Sequence, residues 1–184
     1  EVNTTLKQLN LTNCGLSDKS GEILMKAVTV TTIKKELQHL EKEQLVELAL
    51  RVTKYKIENK ELMTYLLFEE HDEDHFIETI KAEMDDQFED INTTSYHFIK
   101  KSVRKILRGV NKHVRYAKKI ETEAALTIHF CRKLKEMDPS YRYNTVLTNM
   151  YDRQLGLAEK IIDKMHEDLQ YDYKLEIEDF SLKR

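Results

Sequence analysis

Apolar residues recur every three or four positions from residue 32 to about residue 171, which is the spacing of one buried helix face. The stripes are separated by polar residues that suit helix ends. Each stripe therefore predicts an amphipathic helix. The predicted stripes are Ile33 and Leu37; Leu45, Leu48, Ala49, Val52 and Tyr55; Leu62, Tyr65 and Leu66; Phe76, Ile77, Ile80, Met84, Phe88 and Ile91; and Leu147, Met150, Leu157, Ala158, Ile161, Met165 and Leu169.

Capping residues predict where these helices begin. Thr32, Asn59 and Asp72 each stand before a stripe, and their side-chain oxygens can accept hydrogen bonds from the free N–H groups of a first turn. The small polar residues 92–94 are expected to start a long helix that reaches about Lys119.

The only proline is predicted to mark the last break in the chain. A helix over about residues 122–137 precedes it, and Pro139 stands where a first helical turn tolerates proline. A last helix then runs to about Tyr171. Residues 172–184 are predicted to form an acidic tail that frays.

Composition limits the fold class. The chain has 184 residues with 4 Gly, 1 Pro and no Trp, too little turn chemistry for hairpins or sandwiches. Its 40% apolar and 34% charged residues suit one compact domain. The predicted fold is all-α, an irregular antiparallel bundle of about six or seven helices with short connections. The leucine spacing near the N-terminus is compatible with one short strand-turn-helix repeat element before this bundle.

The leucines near the N-terminus follow a different spacing, L-x-x-L-x-L-x-x-C-x-L, formed by Leu6, Leu9, Leu11, Cys14 and Leu16. This spacing resembles a single leucine-rich repeat of the ribonuclease-inhibitor type over residues 3–28. The resemblance implies a short strand and a turn, followed by a helix that Ser17 caps and that includes Ala27 and Val28. It also implies a protein-binding surface, because such repeats typically bind proteins.

A single repeat cannot bury its own apolar face, so three interpretations stay open. The segment is the last repeat of a longer protein, a coincidental match on a capping element, or a segment foreign to the rest. We treat residues 1–28 as a separate element before a helical domain of residues 29–171. Residues 25–184 resemble uncharacterised all-helical bacterial proteins at EQLVEL (43–48) and ENKEL (58–62). The resemblance implies an all-helical fold, and that family carries no assigned activity.

The overall charge, the apolar stretches, the first residues and the cysteines each exclude a class of protein. A formal net charge of -3 argues against a uniformly basic surface for nucleic acid. No apolar stretch approaches the roughly 20 residues that span a bilayer. The first residues lack a signal-peptide pattern, so a cytoplasmic location without membrane contact is expected. Cys14 and Cys131 lack disulfide or zinc spacing and are expected to be reduced.

Charge changes sign in the middle of the chain. Residues 69–90 contain 11 Asp or Glu and one Lys, whereas residues 91–120 contain nine Lys or Arg and no acid. On a helical wheel these cations occupy about 140°, apart from an apolar arc of about 100°. Six of them are the candidate residues for binding an anionic partner, here called the basic ridge: Lys101, Arg104, Lys105, Arg108, Lys112 and Arg115.

Two interpretations of the charge pattern compete. In the favoured one, the acidic helix 74–91 lies beside the basic helix 94–119 and neutralises it, since opposite charges can select neighbouring helices. In the other, the ridge binds an acidic protein or a nucleic acid, with phosphate contacts that depend steeply on salt and with Tyr116 stacked on an unpaired base. The acidic face would also be presented to partners: Asp85, Asp86, Glu89 and Asp90.

Candidate catalytic or metal-binding residues are few. His71 and His75 have the i, i+4 spacing of helical metal ligands, but Asp72 replaces the glutamate of the zinc-protease motif and no third ligand is indicated. Asp72 with His75 and Asp163 with His166 match the Glu-x-x-His pairs of di-iron bundles poorly. No nucleophile-elbow or phosphate-loop motif occurs.

The sequence therefore predicts a non-enzymatic protein-interaction or regulatory module, with no catalytic residue, metal ligand or cofactor assigned. Cys131 is expected to be a buried apolar residue. A protein partner is expected, and RNA or DNA binding through the basic helix 94–119 is the alternative. The oligomeric state stays open.

Overall fold

The computed structural model describes residues 27–182, with side chains up to residue 179. The chain divides into two compact units, Glu1–Leu48 and Ala49–Arg184, and the boundary falls within one helix.

The first unit contains α1 (Val30–Leu37) and the beginning of α2 (Lys42–Tyr55). Thr29 caps α1, because its Oγ1 accepts a 3.3 Å hydrogen bond from the backbone N–H of Thr32. The predicted cap at Thr32 is therefore wrong by three residues. The leucine-rich-repeat-like pattern falls almost entirely outside the described residues.

The second unit contains the remaining helices in the described part of the chain. Consecutive long helices are joined by short connections and pack on one another. In order, they are α3 (Ile57–Thr64), a π-helical turn (Tyr65–Glu69), α4 (Glu73–Glu89), α5 (Tyr96–Ala117), α6 (Ile120–Glu136), a 3-10 turn (Tyr141–Tyr143), α7 (Thr145–Ile162) and α8 (Glu167–Leu182).

Helix α6 lies at the centre of the second unit. Nine of its 17 residues are buried, and it packs against α4, α5, α7 and α8. The ring of Phe130 on α6 lies 5.8 Å from that of Phe88 on α4. Because α6 is covered on several sides, it carries small and apolar residues around much of its circumference.

The predicted all-α bundle is confirmed. The structure has eight α-helices within residues 27–182 and no strand there. The additional helix arises because the predicted last helix is interrupted at residues 163–166. None of the helices in this described range is long and apolar enough to cross a bilayer.

The interruption is stabilised by local hydrogen bonds. The N–H of Met165 donates to the carbonyl of Ile162 at 2.9 Å, and the Gln170 side chain donates to the carbonyl of Met165 at 2.9 Å. Helix α8 then continues to Leu182, past the predicted end at Tyr171 and through most of the segment predicted as an acidic tail.

Predicted caps are right where the polar residue directly precedes the helix. Asp72 caps α4, since its Oδ1 accepts a 3.1 Å hydrogen bond from the N–H of His75. Asn59 does not cap α3, which begins two residues earlier, at Ile57. Its side-chain amide instead donates to the carbonyl of Val52 at 2.8 Å.

Two further boundaries differ from prediction by a few residues. Helix α5 begins after Ser95, while Asn92 accepts a 3.0 Å hydrogen bond from the N–H of Thr94 in the preceding turn. Pro139 lies outside the helices, after a cis peptide bond, and Asn144 caps α7. The predicted place of Pro139 in a first helical turn is therefore wrong.

Replacing Gly156 in α7 with alanine is expected to stabilise the protein by about 0.5–1 kcal/mol, because glycine has the larger backbone entropy in the unfolded chain. A Cβ built at Gly156 meets no atom within 4 Å, so no clash offsets this gain. Urea unfolding followed by circular dichroism measures the change. The matched control is Ala158→Gly, where the reverse change also removes a buried methyl group and should destabilise. A destabilised Gly156→Ala variant would contradict the prediction.

Candidate interaction surface

Helix α5 has a core side and a charged side. Its core side is formed by Ile99, Val103, Ile106, Leu107, Val110 and Ala117. The basic ridge lies on the opposite side, within about 100° of arc on a helical wheel. Five of its six residues are exposed, and Lys112 is partly buried. The ridge extends over about 21 Å from Lys101 to Arg115, at a rise of 1.5 Å per residue.

Most of the ridge has no acidic counterpart. Within the described residues, Lys112 is the ridge side chain that forms an ion pair, with its Nζ 2.8 Å from Glu61 of α3. Arg108 Nε donates a 3.3 Å hydrogen bond to the carbonyl of Arg104, one turn earlier, which leaves its charge uncompensated. The cationic charge of the ridge is therefore largely available to a partner.

The acidic residues of α4 do not pair with the ridge. Asp85 contacts α6 instead, with His129 Nε2 at 2.6 Å and Lys133 Nζ at 3.4 Å. Neutralisation of the ridge by the preceding acidic helix, the interpretation favoured by the sequence, is therefore absent in residues 27–182. The other residues of the predicted acidic face are exposed and form no ion pair in this range: Asp86, Glu89 and Asp90.

The packing of the bundle explains this separation of charges. Helices α4 and α5 both turn their apolar stripes towards α6. Their charged positions therefore lie on the outer sides of the two helices, at different parts of the surface. An acidic residue reaches another helix only where it borders the apolar stripe, as Asp85 does beside Met84.

Glu73 is the one acidic side chain of α4 that pairs with a Lys or Arg of residues 91–120 in the described part of the chain. Its carboxylate accepts hydrogen bonds from Lys119 Nζ at 2.7 Å, from the Tyr65 hydroxyl at 2.9 Å and from the Thr122 hydroxyl. Burial alone would raise the pKa of Glu73, but these hydrogen bonds outweigh it and lower the pKa. The cluster ties the start of α4 to the corner between α5 and α6.

Tyr116 is already engaged within the protein. Its hydroxyl donates to Glu61 Oε2 at 3.0 Å and lies 3.3 Å from the carbonyl of Glu58. Burial, together with the hydrogen bond to Glu61, raises the pKa of Tyr116 to about 12. Its ring also packs edge-on against His113, with 5.8 Å between centroids. The expected stacking of Tyr116 on an unpaired base is therefore not supported by its position.

A shallow groove borders the ridge between α4 and α5. Ile80, Glu83, Met84, Gln87, Ile106, Gly109, Val110 and His113 line it. His113 Nδ1 is buried there and has no hydrogen-bond partner. Burial, followed by the charge of Lys112, lowers the pKa of His113, which favours the neutral imidazole. The surface beside the ridge is therefore a small groove that is lined mostly by uncharged side chains.

The residues considered for catalysis or metal binding are not assembled into a site. Cys131 is fully buried, as expected, and burial raises the pKa of its thiol to about 12, so the thiolate is disfavoured. His71 precedes α4 and does not lie on it. Asp163 and His166 lie in the exposed break between α7 and α8. Residues 27–182 contain no group of three or more His, Cys, Asp or Glu side chains arranged to hold a metal ion.

Two features of the structure have no signal in the sequence. Glu61 pairs with Lys112 across 51 positions, and no local pattern signals such a contact. Leu66 was predicted to be buried with Leu62 and Tyr65, but it is 45% exposed, and the backbone there forms a π-helical turn. That turn was not foreseeable from a regular 3.6-residue period.

Replacing Glu73 with glutamine is expected to lower the free energy of unfolding by about 1.5–3 kcal/mol at pH 7, because a partly buried charged acceptor with three donors is lost. The folded pKa of Glu73 lies below its ordinary value of 4.5. The carboxylate therefore stabilises the protein fully above that value, and this contribution is lost as the pH falls through the folded pKa.

The difference between wild type and Glu73→Gln should shrink on acidification from pH 7 to pH 3, as measured by urea unfolding at several pH values. Glu78→Gln is the control, since Glu78 forms only an exposed pair with Lys81 and should change stability little. A gap between Glu73→Gln and wild type that stayed constant over this pH range would contradict the assigned role of the carboxylate.

Comparison of the chain with protein-family models, curated protein sequences and solved structures finds no match in any of the three.

Proposed function

We propose that this protein is a non-enzymatic interaction module whose basic ridge binds an acidic segment of a protein partner. One observation carries the proposal. Five exposed cations of the ridge have no ion-pair partner among the described residues, and the opposite side of the same helix is held in the core. A surface of this kind offers fixed positive charge on a rigid support.

The surroundings of the ridge favour a narrow partner. Glu58 and Glu61 of α3 lie beside its C-terminal end, through their contacts with Tyr116 and Lys112, and Glu83 of α4 lines the adjoining groove. Packed helices lie about 8–10 Å apart, which is within the Debye length of about 10 Å at 0.1 M salt. A nucleic acid duplex would meet these carboxylates, whereas one acidic helix or extended segment can follow the ridge alone.

The residue types of the ridge suit carboxylates. Arg104, Arg108 and Arg115 offer planar guanidinium groups that can bind a carboxylate through two parallel hydrogen bonds. Each exposed ion pair contributes only about 0–1 kcal/mol, so several must form together. The ridge is therefore expected to set orientation and association rate, while apolar contacts of the partner supply further affinity.

Selection from a library of displayed random 16-residue peptides tests the proposal. Peptides selected on the wild-type protein should be enriched in Asp and Glu, because their carboxylates can pair with the uncompensated cations of the ridge. The charge-reversed variant Lys101→Glu with Arg108→Glu should lose this enrichment and bind the selected peptides at least tenfold more weakly in fluorescence anisotropy.

The matched control is Arg153→Glu with Lys160→Glu on α7. It reverses one Arg and one Lys seven positions apart, as the ridge variant does, and both residues are exposed without an ion pair in the described range. This control should select and bind acidic peptides like the wild type. Equal loss in both variants, or no acidic enrichment at all, would reject the proposal.

The salt dependence of binding and the single variant Arg108→Glu distinguish RNA or DNA binding, the alternative function, from binding of an acidic protein segment. If nucleic acid is the ligand, affinity for a 20-nucleotide RNA or a 20-base-pair DNA should fall at least tenfold between 50 and 200 mM salt, because several phosphates are contacted. Arg108→Glu should then abolish the gel shift. We expect weak nucleic acid binding at 150 mM salt, and tight binding there that depends on Arg108 would replace the acidic-segment proposal.

A further inference from the structure

A second surface, unrelated to the ridge, lies on the π-helical turn between α3 and α4. Leu66, Leu67 and Phe68 are consecutive there and are 45%, 63% and 64% exposed. Consecutive side chains on a helical turn point roughly 100° apart, so these three cover the solvent side of the turn. Isolated exposed apolar residues are common on protein surfaces, but contiguous large ones mark interaction sites. We call these three residues the apolar patch.

The patch is held in place by the residue before it. Tyr65 is buried, with its ring centroid 4.7 Å from that of Phe76 and its hydroxyl bonded to Glu73. The N–H of Glu70 donates to the carbonyl of Tyr65 at 2.9 Å and closes the wide turn. The turn is thus anchored on one side, and the three side chains that follow Tyr65 are left facing solvent.

The sequence that follows the patch is acidic. Glu69, Glu70, Asp72 and Asp74 lie within the six residues after it, and no Lys or Arg occurs between Lys60 and Lys81. Lys119 reaches this segment, but it is already bonded to Glu73 and to the carbonyl of Glu70. In the part of the chain that the structure describes, the four bordering carboxylates form no ion pair. An apolar centre with an anionic border results.

From this arrangement we infer that the apolar patch binds a basic amphipathic helix of a partner protein. Large apolar side chains of the partner would cover Leu66, Leu67 and Phe68, while its Lys or Arg residues would meet Glu70 and Asp74. Buried apolar centres with polar borders are the usual anatomy of protein interfaces. The anionic border repels anionic lipid and nucleic acid, which leaves a cationic protein segment as the fitting ligand.

The inference is independent of the proposed role of the ridge. The ridge attracts an acidic segment, and the patch attracts a basic one. Charge reversal on the ridge should therefore leave binding at the patch intact, and changes in the patch should leave acidic peptides bound to the ridge. Failure of one assignment does not decide the other.

Titration of the isotope-labelled protein with a synthetic 18-residue peptide tests the inference by nuclear magnetic resonance. The peptide carries Leu on one helical face and Lys and Gln on the other. Chemical-shift changes should centre on residues 65–76. The variant Leu67→Gln with Phe68→Gln should weaken binding at least tenfold, and Glu70→Lys should weaken it by a smaller factor.

The control variant is Tyr143→Gln with Tyr171→Gln, which removes two exposed aromatic residues elsewhere, 80% and 66% exposed. It should bind the peptide like the wild type. Circular dichroism and thermal unfolding of each variant establish that the fold is kept. Equal affinity for the patch variant and the control, shifts centred on residues 83–90, or no binding would overturn the inference.

A second copy of this chain is the competing occupant, because α5 is itself basic. Sedimentation of the protein alone decides this case. The protein could associate as its concentration rises, and the double variant Leu67→Gln with Phe68→Gln could abolish that association. This result would assign the patch to self-association and overturn the inference that a partner helix binds there. If the protein is a monomer at all concentrations and the peptide binds at residues 65–76, the inference of a partner helix is supported.

Discussion

The packing of α4 and α5 against the central helix α6 determines what the surface of this protein presents. Burial of an apolar side chain such as Ile99 or Val103 contributes about 1.5–3 kcal/mol, whereas an exposed ion pair contributes about 0–1 kcal/mol. The buried side of α5 therefore sets its rotation about its own axis. The basic ridge follows as the opposite side of the same helix, and it faces solvent whether or not an acidic helix lies nearby.

The same balance of energies explains which charges pair. Glu73 and Asp85 border the apolar stripe of α4, so packing brings them close to Lys119 and His129. The other carboxylates of α4 form no ion pair with another helix in the described residues. Opposite net charge on two consecutive segments is therefore a poor guide to contact between them. The contact depends on the position of each charge relative to the buried stripe.

Two surfaces of opposite character result, the basic ridge on α5 and the apolar patch with an acidic border at residues 66–68. The first was foreseeable, because its six residues share one face of a regular helix. The second was not, since Leu66 fits a helical stripe with Leu62 and Tyr65 but is 45% exposed. Likewise, the stripe on α2 predicted the helix correctly, but its side chains from Leu45 to Tyr55 are largely exposed.

The sequence by itself determined the positions of most helices, the Asp72 cap, the buried stripe of α4 and the amphipathic character of α5, because each depends on residues within a few turns of one another. The tertiary structure decided that Lys112 meets Glu61, that Asp85 meets His129 and that Leu66 to Phe68 stay uncovered. Whether these residues pair or stay exposed depends on which faces of helices distant in sequence pack together. Local periodicity carries no information about which faces those are.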